Sequence, residues 1–130
     1  MAKGWMKRAQ GDLKNAQHTL TLPDAECPFE TVCFHAQQCA EKSLKAVLTL
    51  HGVVFKRIHD LKELLRLCDG IEPLSGPLGP VGDLSPYATE ARYPEDEEGE
   101  EPISRAQAEE AVALARKVYD LIQRKLGAIR

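Results

Sequence analysis

The sequence has few aromatic residues and no long apolar run. Aromatic side chains make up 5% of the 130 residues, and no uncharged apolar stretch approaches the roughly 20 residues of a membrane-spanning helix. The first ten residues, MAKGWMKRAQ, lack the apolar stretch of a secretory signal peptide. We therefore expect a cytoplasmic protein that does not enter a membrane.

The sequence also lacks the usual motifs of metal, phosphate-loop and serine-nucleophile sites. Its four histidines show no H-x-x-x-H pattern and its four cysteines no C-x-x-C pair. The segment GPLGPVG is not followed by the lysine of a phosphate loop, and G-x-S-x-G is missing. We expect no metal, no cofactor and no nucleotide hydrolysis by a phosphate loop. The cysteines are expected to be free, mostly buried thiols: Cys27, Cys33, Cys39 and Cys68.

The composition itself is that of a folded protein. Hydrophobic residues make up 43% and charged residues 28%, which suits one globular domain over residues 1–130. The net charge is −3, but the run EDEEGEE, Glu95 to Glu101, holds six of the twenty acidic residues. Such a run repels phosphates over about a Debye length. We therefore do not expect a long nucleic acid to bind on the side of the molecule that carries this run.

Apolar residues recur at helical spacing in the first half of the chain. The intervals of three or four residues between 4 and 20 predict a first helix. A second is predicted from about 29 to 51, with Cys33, Ala36, Ala40, Leu44 and Val47 buried. Gly52 is well placed to follow its end. HDLKELLRLC then predicts a third helix, with Asp60 at the positive end of its dipole.

The second half of the chain is predicted to be less regular until its final helix. GIEPLSGPLGPVGD, Gly70 to Asp83, contains four glycines and three prolines, so we expect a surface loop. A short helical piece is expected around 84–91. Ser104 and Gln107 form a capping box that opens the last helix. Since no strand-like alternation of useful length appears, the sequence predicts an all-α, antiparallel helical bundle.

The second predicted helix carries a polar stripe within QQCAEKSLKA. Gln38, Glu41, Lys42 and Lys45 share one face when each residue advances the helix by about 100°. One interpretation is a solvated face on which Glu41 and Lys45 form an ordinary i,i+4 ion pair. The other is the wall of a binding site. Spacing alone leaves both open.

Three motifs follow one another in an order that resembles the HEPN family. QQCAEKSLKA, IHDLKELL and YATEARYP occur in that order, and the first helix contains WMKRAQGDLKNA. The family name abbreviates a nucleotide-binding domain of higher eukaryotes and prokaryotes, and the resemblance extends from Trp5 to about Leu126. It implies a four- or five-helix up-and-down bundle that often forms a homodimer. It also implies nucleotide or substrate binding beside a small nucleotidyltransferase partner.

The same superfamily includes toxin ribonucleases, whose signature is an arginine followed after four to six residues by a histidine. None of His18, His35, His51 and His59 has an arginine at that distance upstream. Arg57 precedes His59 by only two residues. His59 is therefore a weak candidate for a catalytic base. A metal-independent ribonuclease of the toxin type, acting on RNA without the usual signature, remains the alternative function.

The motif EARYPED supplies a further candidate binding pair. Arg92 can bind a phosphate through two N–H groups, and the ring of Tyr93 can stack on a base. Tyr87 extends this surface if the intervening piece is helical. The alternatives are an Arg92 paired with nearby acids and tyrosine rings packed at the end of the bundle.

The stripe and this motif together define a candidate site. Lys42, Lys45 and Arg92 are expected to attract a phosphate in a groove between the second helix and the segment rich in proline and glycine. Gln38 would supply hydrogen bonds, and Glu41 would orient a lysine. A third interpretation is a helical adaptor without a ligand, in which exposed leucine and alanine positions on the last helix mediate assembly.

Overall fold

Helices account for the regular structure in the described part of the chain. The computed structural model describes residues 1–55, 57–58, 60–71, 75–87 and 102–128. Its elements, in order, are α1 (Ala2–Thr19), α2 (Phe29–Leu50), α3 (Leu61–Asp69), α4 (Ser75–Leu78), a 3-10 helix (Gly79–Tyr87) and α5 (Arg105–Ala128). The predicted all-α bundle is therefore confirmed. Among the described helices, none combines the length and the apolar character needed to cross a membrane.

Local hydrogen bonds explain where these helices begin and end. The Asp60 side chain accepts a hydrogen bond from the Lys62 amide at 3.0 Å and so caps α3. The Ser104 amide donates to Gln107 Oε1 at 2.8 Å, and the Gln107 amide donates to Ser104 Oγ at 3.2 Å. This is the predicted capping box. Gly52 follows α2 with a φ of +69°, a conformation that favours glycine.

Helix α2 lies at the centre of the bundle. It packs against α1, α3, α5 and the 3-10 helix, so it has buried side chains on more than one face. The five apolar residues predicted to face inward are all buried. Alanines at the contacts, such as Ala9, Ala16 and Ala40, have no exposed surface and allow the helices to approach closely.

The prediction of a loop without regular structure over 70–83 is wrong. This segment contains α4 and most of the 3-10 helix, and Leu78, Val81 and Leu84 are buried. Their spacing of three residues matches the 3-10 repeat, which places them on one side. A Cβ on Gly82 would lie 2.9 Å from Lys62 Cγ, so glycine permits the close approach to α3. A short helix was expected around 84–91. Residues 84–87 of that range belong to the 3-10 helix, and 88–91 lie outside the described residues.

The four cysteines are free and buried, as predicted. They lie in the loop before α2, on α2 itself and on α3. Three of the thiols contact backbone carbonyls of other segments, and Cys27 Sγ lies 3.4 Å from the Thr19 oxygen. Cys39 Sγ lies 3.9 Å from the Ala115 oxygen and Cys68 Sγ lies 3.8 Å from the Leu44 oxygen. These thiols therefore act as small core residues.

Candidate functional site

The pair Glu41 and Lys45 is buried inside the bundle. Lys45 Nζ lies 3.0 Å from Glu41 Oε2, and the two residues are only 5% and 3% exposed. For this pair the solvated-face interpretation is wrong. An amphipathic wheel assumes that one side of a helix meets water, whereas α2 is covered on the polar side by α1.

Neighbouring polar and aromatic groups compensate the buried charges. Gln37 Nε2 donates to Glu41 Oε1 at 3.1 Å. Lys45 Nζ lies 5.5 Å from the ring centre of Trp5 and 5.6 Å from that of Phe55, within the range of cation–π attraction. Glu41 thus holds the Lys45 ammonium in place through the i,i+4 ion pair. Since both side chains have little free surface, their contact with a ligand stays a prediction.

A second charged cluster lies where α1 and α2 meet closer to solvent. Asp12 on α1 contacts two α2 side chains: its Oδ1 lies 2.8 Å from His35 Nδ1, and its Oδ2 lies 2.6 Å from Lys42 Nζ. The side chains of His35 and Lys42 are 20% and 23% exposed, and that of Asp12 is 11% exposed. The histidine and the lysine are seven residues apart, so two turns of α2 place them on one face.

Gln38 lies between His35 and Lys42 on the same face of α2. Its Nε2 donates to Gln37 Oε1 at 2.7 Å, which connects the half-buried cluster to the buried pair through one more glutamine. We call Asp12, His35, Gln38 and Lys42 the polar seam. Two of its members, Gln38 and Lys42, were predicted as binding residues.

Sequence reasoning missed the other two members of the polar seam. His35 was tested only for an arginine at a fixed distance upstream, which it does not have. Its actual partner, Asp12, is 23 residues away on another helix. No local spacing rule connects these positions, so only the packing of α1 against α2 identifies them as a pair.

The polar seam can exchange hydrogen bonds and protons with a bound group. An ionised Asp12 favours the His35 tautomer with a proton on Nδ1, which leaves a lone pair on Nε2. The Lys42 ammonium has three N–H donors, and Asp12 accepts one of them. The seam therefore offers an acceptor from the imidazole and donors from the ammonium and the Gln38 amide.

Of the remaining predicted site residues, Tyr87 lies within the part of the chain that the structure describes. Tyr87 is half-buried at the end of the 3-10 helix and lines a cavity of about 230 Å³ with α5 residues that include Gln107 and Glu110. None of the four predicted α2 residues lines that cavity. Arg92, Tyr93 and His59 lie outside the described residues, so their contribution stays a prediction.

The thiol of Cys39 is perturbed by its surroundings. Burial, and secondarily the nearby Asp12 carboxylate, raises the pKa of its thiol to about 12. A thiol that stays protonated at neutral pH is a poor nucleophile and a poor metal ligand. Within the described ranges no three histidine, cysteine or acidic side chains are grouped to hold a metal ion.

Known proteins resemble this chain in both sequence and fold. The model of the HEPN domain matches residues 2–126. A Methanocaldococcus jannaschii protein named as a candidate toxin, MJ1304, is 31% identical and aligns with 94% of this chain and 86% of its own length. The crystal structure of TT1696 from Thermus thermophilus is 30% identical and covers 95% of this chain and 97% of that chain, with a TM-score of 0.74. The crystal structure of ST0689, described as an archaeal HEPN homologue, is 21% identical, covers 96% and 97% of the two chains, and has a TM-score of 0.65.

Proposed function

Because this chain belongs to the HEPN domain family, we propose that it is a nucleotide- or substrate-binding helical module with a small nucleotidyltransferase partner. We further propose that it acts in the cytoplasm as a homodimer and forms a toxin–antitoxin pair with that partner. The similarity to a protein named as a candidate toxin supports the pairing. The partner itself follows from the sequence resemblance and is open to direct test.

The observation that supports binding is the polar seam. Its charges are already compensated, because the Asp12 carboxylate contacts both Lys42 and His35. A compensated cluster attracts phosphate less strongly than free cations do, but it holds donors and acceptors in fixed positions. Fixed polar groups on a half-exposed helix face suit recognition of a polar surface or a small polar ligand. This favours binding over strong electrostatic capture of nucleic acid.

A capture experiment tests the partner interaction. The open reading frame next to that of this chain is first checked for the G-S and D-x-D pattern of a small nucleotidyltransferase. That protein is then co-expressed with a tagged copy of this chain, and the complex is quantified after affinity purification. We expect Lys42→Glu to reduce the recovered partner at least about tenfold, since it places a second carboxylate beside Asp12 in the contact surface. Lys117→Glu, at an exposed position of α5, is the control with the same charge change. Equal recovery with both variants argues against the polar seam as the contact surface.

A second candidate function is cleavage of RNA, and the pairing of His35 with Asp12 favours it. In this reaction His35 Nε2 removes the proton of a 2′-hydroxyl, whose oxygen attacks the adjacent phosphorus. The bond to the 5′-oxygen breaks, a 2′,3′-cyclic phosphate forms, and water protonates the leaving oxygen. Lys42 is placed to stabilise negative charge on the phosphorane.

RNA cleavage by the purified protein separates the two functions. If the protein is a ribonuclease of this kind, His35→Asn abolishes cleavage, whereas His18→Asn, at an exposed position of α1, leaves it unchanged. Asparagine preserves a donor for Asp12 but removes the Nε2 base. His59→Asn tests the candidate suggested by the sequence. A protein that never cleaves RNA while it binds its partner supports the binding module alone.

A further inference from the structure

A cavity between α1 and α5 carries an excess of positive charge. Its volume is about 430 Å³, within the range of small-molecule sites. It lies at the end of the bundle where α2 finishes, since Leu50 lines it together with residues of both other helices. It shares no residue with the polar seam.

Two lysines on α1 give this cavity its charge. Lys3 and Lys7 line it one helical turn apart, and none of the lining residues that the structure describes is acidic. Like charges at i,i+4 disfavour the helix slightly. Neither lysine takes part in an ion pair within the described residues. An anion between them would therefore relieve repulsion without displacing an existing partner, unlike at Lys42.

The rest of the cavity is apolar with a few neutral polar groups. Met6, Leu50 and Leu126 contribute apolar surface. The half-buried ring of Tyr119 also lines the cavity, and burial raises the pKa of its phenol, so the hydroxyl stays neutral beside the lysines. Gln123 adds an amide that can donate and accept. The lining thus combines two lysine side chains with an apolar surface against which a planar ring can pack.

We propose that this cavity binds a nucleoside monophosphate, with the phosphate between Lys3 and Lys7 and the base against Tyr119 and Leu126. Two lysines balance the charge of one phosphate monoester, whereas the triphosphate would leave charge uncompensated. An aromatic ring and neighbouring aliphatic groups provide the stacking surface for a base. The choice of a nucleotide rests on the proposed function, whereas binding of an amphipathic anion follows from the cavity alone.

Titration with defined ligands tests the chemistry of the site. Adenosine monophosphate and uridine monophosphate are compared with adenosine, inorganic phosphate and decanoate by calorimetry and by thermal shift. A ligand that binds only the native state raises the melting temperature. We expect the monophosphates to bind at least about tenfold more tightly than adenosine or phosphate, because each of these lacks one half of the interaction. Tighter binding of decanoate, or no binding of either monophosphate, overturns the proposal.

Variants locate the bound ligand. Lys7→Glu should weaken monophosphate binding at least about tenfold, since it replaces a charged donor by a repelling carboxylate. Lys14→Glu is the matched control on the same helix, at an exposed position outside the cavity. Gln123→Trp, also at an exposed position, should block the cavity sterically. Unchanged binding in Lys7→Glu and Gln123→Trp overturns the assignment.

The same variants distinguish this proposal from the proposed partner interaction. Lys7→Glu should still be captured by the nucleotidyltransferase, because Lys7 lies outside the polar seam. If the partner interaction fails but the wild-type protein binds monophosphates in a manner that depends on Lys7, the cavity proposal stands by itself.

Discussion

At the scale of single residues, the main contrast is between compensated and uncompensated lysines. Lys45 is enclosed by a carboxylate and two aromatic rings, and Lys42 is held by Asp12. Lys3 and Lys7 have no such partners within the described residues. The first two are therefore held in fixed positions by their partners, whereas the last two are available to an external anion. One residue type thus has different roles according to its surroundings.

Removal of Lys45 tests the structural role of the buried pair. Lys45→Met should lower the free energy of unfolding by about 3 kcal/mol, because it leaves the Glu41 charge buried without its cation. The double variant Glu41→Gln with Lys45→Met should recover part of this loss, since no buried charge remains. Urea unfolding followed by circular dichroism measures both, with Lys117→Met as the exposed control. A single variant as stable as the control contradicts the structural role.

The high pKa of Cys39 predicts a loss of stability at alkaline pH. The pKa rises from 9.0 to about 12 in the folded protein, so between these values the unfolded chain has released a proton that the folded chain retains. Rising pH therefore favours the unfolded state, by up to about 1.4 kcal/mol per pH unit. Burial of Tyr119 acts in the same direction. The stability contribution is fully present below about pH 9.

Urea unfolding across this pH range checks the prediction. The urea concentration at the unfolding midpoint should decrease as the pH rises from 9 to 12. This decrease with pH should be shallower in Cys39→Ala. The substitution itself lowers stability at every pH because it removes buried volume, so the slope and not the absolute value is the readout. Identical slopes in both proteins are inconsistent with ionisation of Cys39 on unfolding.

At the scale of elements, the beginning of α5 is fixed by two sets of contacts. The first is the capping box of Ser104 and Gln107. Ser104→Ala should cost about 1 kcal/mol in the free energy of unfolding, because an N–H at the helix start loses its acceptor. Ser104→Asp, which keeps an acceptor, is the matched control for the denaturation experiment. Equal losses in both variants would mean that the side-chain acceptor at position 104 does not stabilise the start of α5.

The second set of contacts ties α5 to the connection between α1 and α2. Arg105 donates hydrogen bonds to Asp24 and to the backbone oxygens of Leu20 and Leu22, and its guanidinium lies 5.1 Å from the centre of the Phe29 ring. Asp24 is largely exposed, with 76% of its side-chain surface accessible, so the ion pair itself is screened. The backbone contacts and the ring contact are the more important part.

Substitution of Arg105 separates these contributions. Arg105→Lys retains the positive charge, but lysine lacks the planar guanidinium group with which arginine donates to three acceptors at once. We expect it to lower the urea midpoint more than Asp24→Asn, which affects only the exposed ion pair. A larger effect of Asp24→Asn would show that the ion pair dominates.

The helices were predictable from sequence because their signals are local. The spacing of apolar residues, the capping box and Gly52 each act within one or two helical turns. The loop prediction for 70–83 was wrong because glycine and proline usually indicate loops. In the structure, Leu78, Val81 and Leu84 instead follow the tighter 3-10 repeat. Composition in such a segment is less informative than the spacing of its few large apolar residues.

At the scale of the whole molecule, packing decides which polar residues remain available. The polar stripe on α2 was correctly identified, but α1 covers Glu41 and Lys45 and leaves Gln38 and Lys42 half-buried. His35 joins the polar seam only through Asp12 on α1. The cavity with Lys3 and Lys7 combines residues from near the two ends of the chain. Such combinations are long-range, so local patterns could not predict them.

At the scale of the whole molecule, we propose that this HEPN chain works as a binding module with a nucleotidyltransferase. Light scattering coupled to size-exclusion chromatography of the two purified proteins tests it most directly. The mixture should elute as one species whose mass includes two copies of this chain together with the partner, and Lys42→Glu should separate the proteins while Lys117→Glu should not. Separate elution of the wild-type proteins at micromolar concentrations would contradict it.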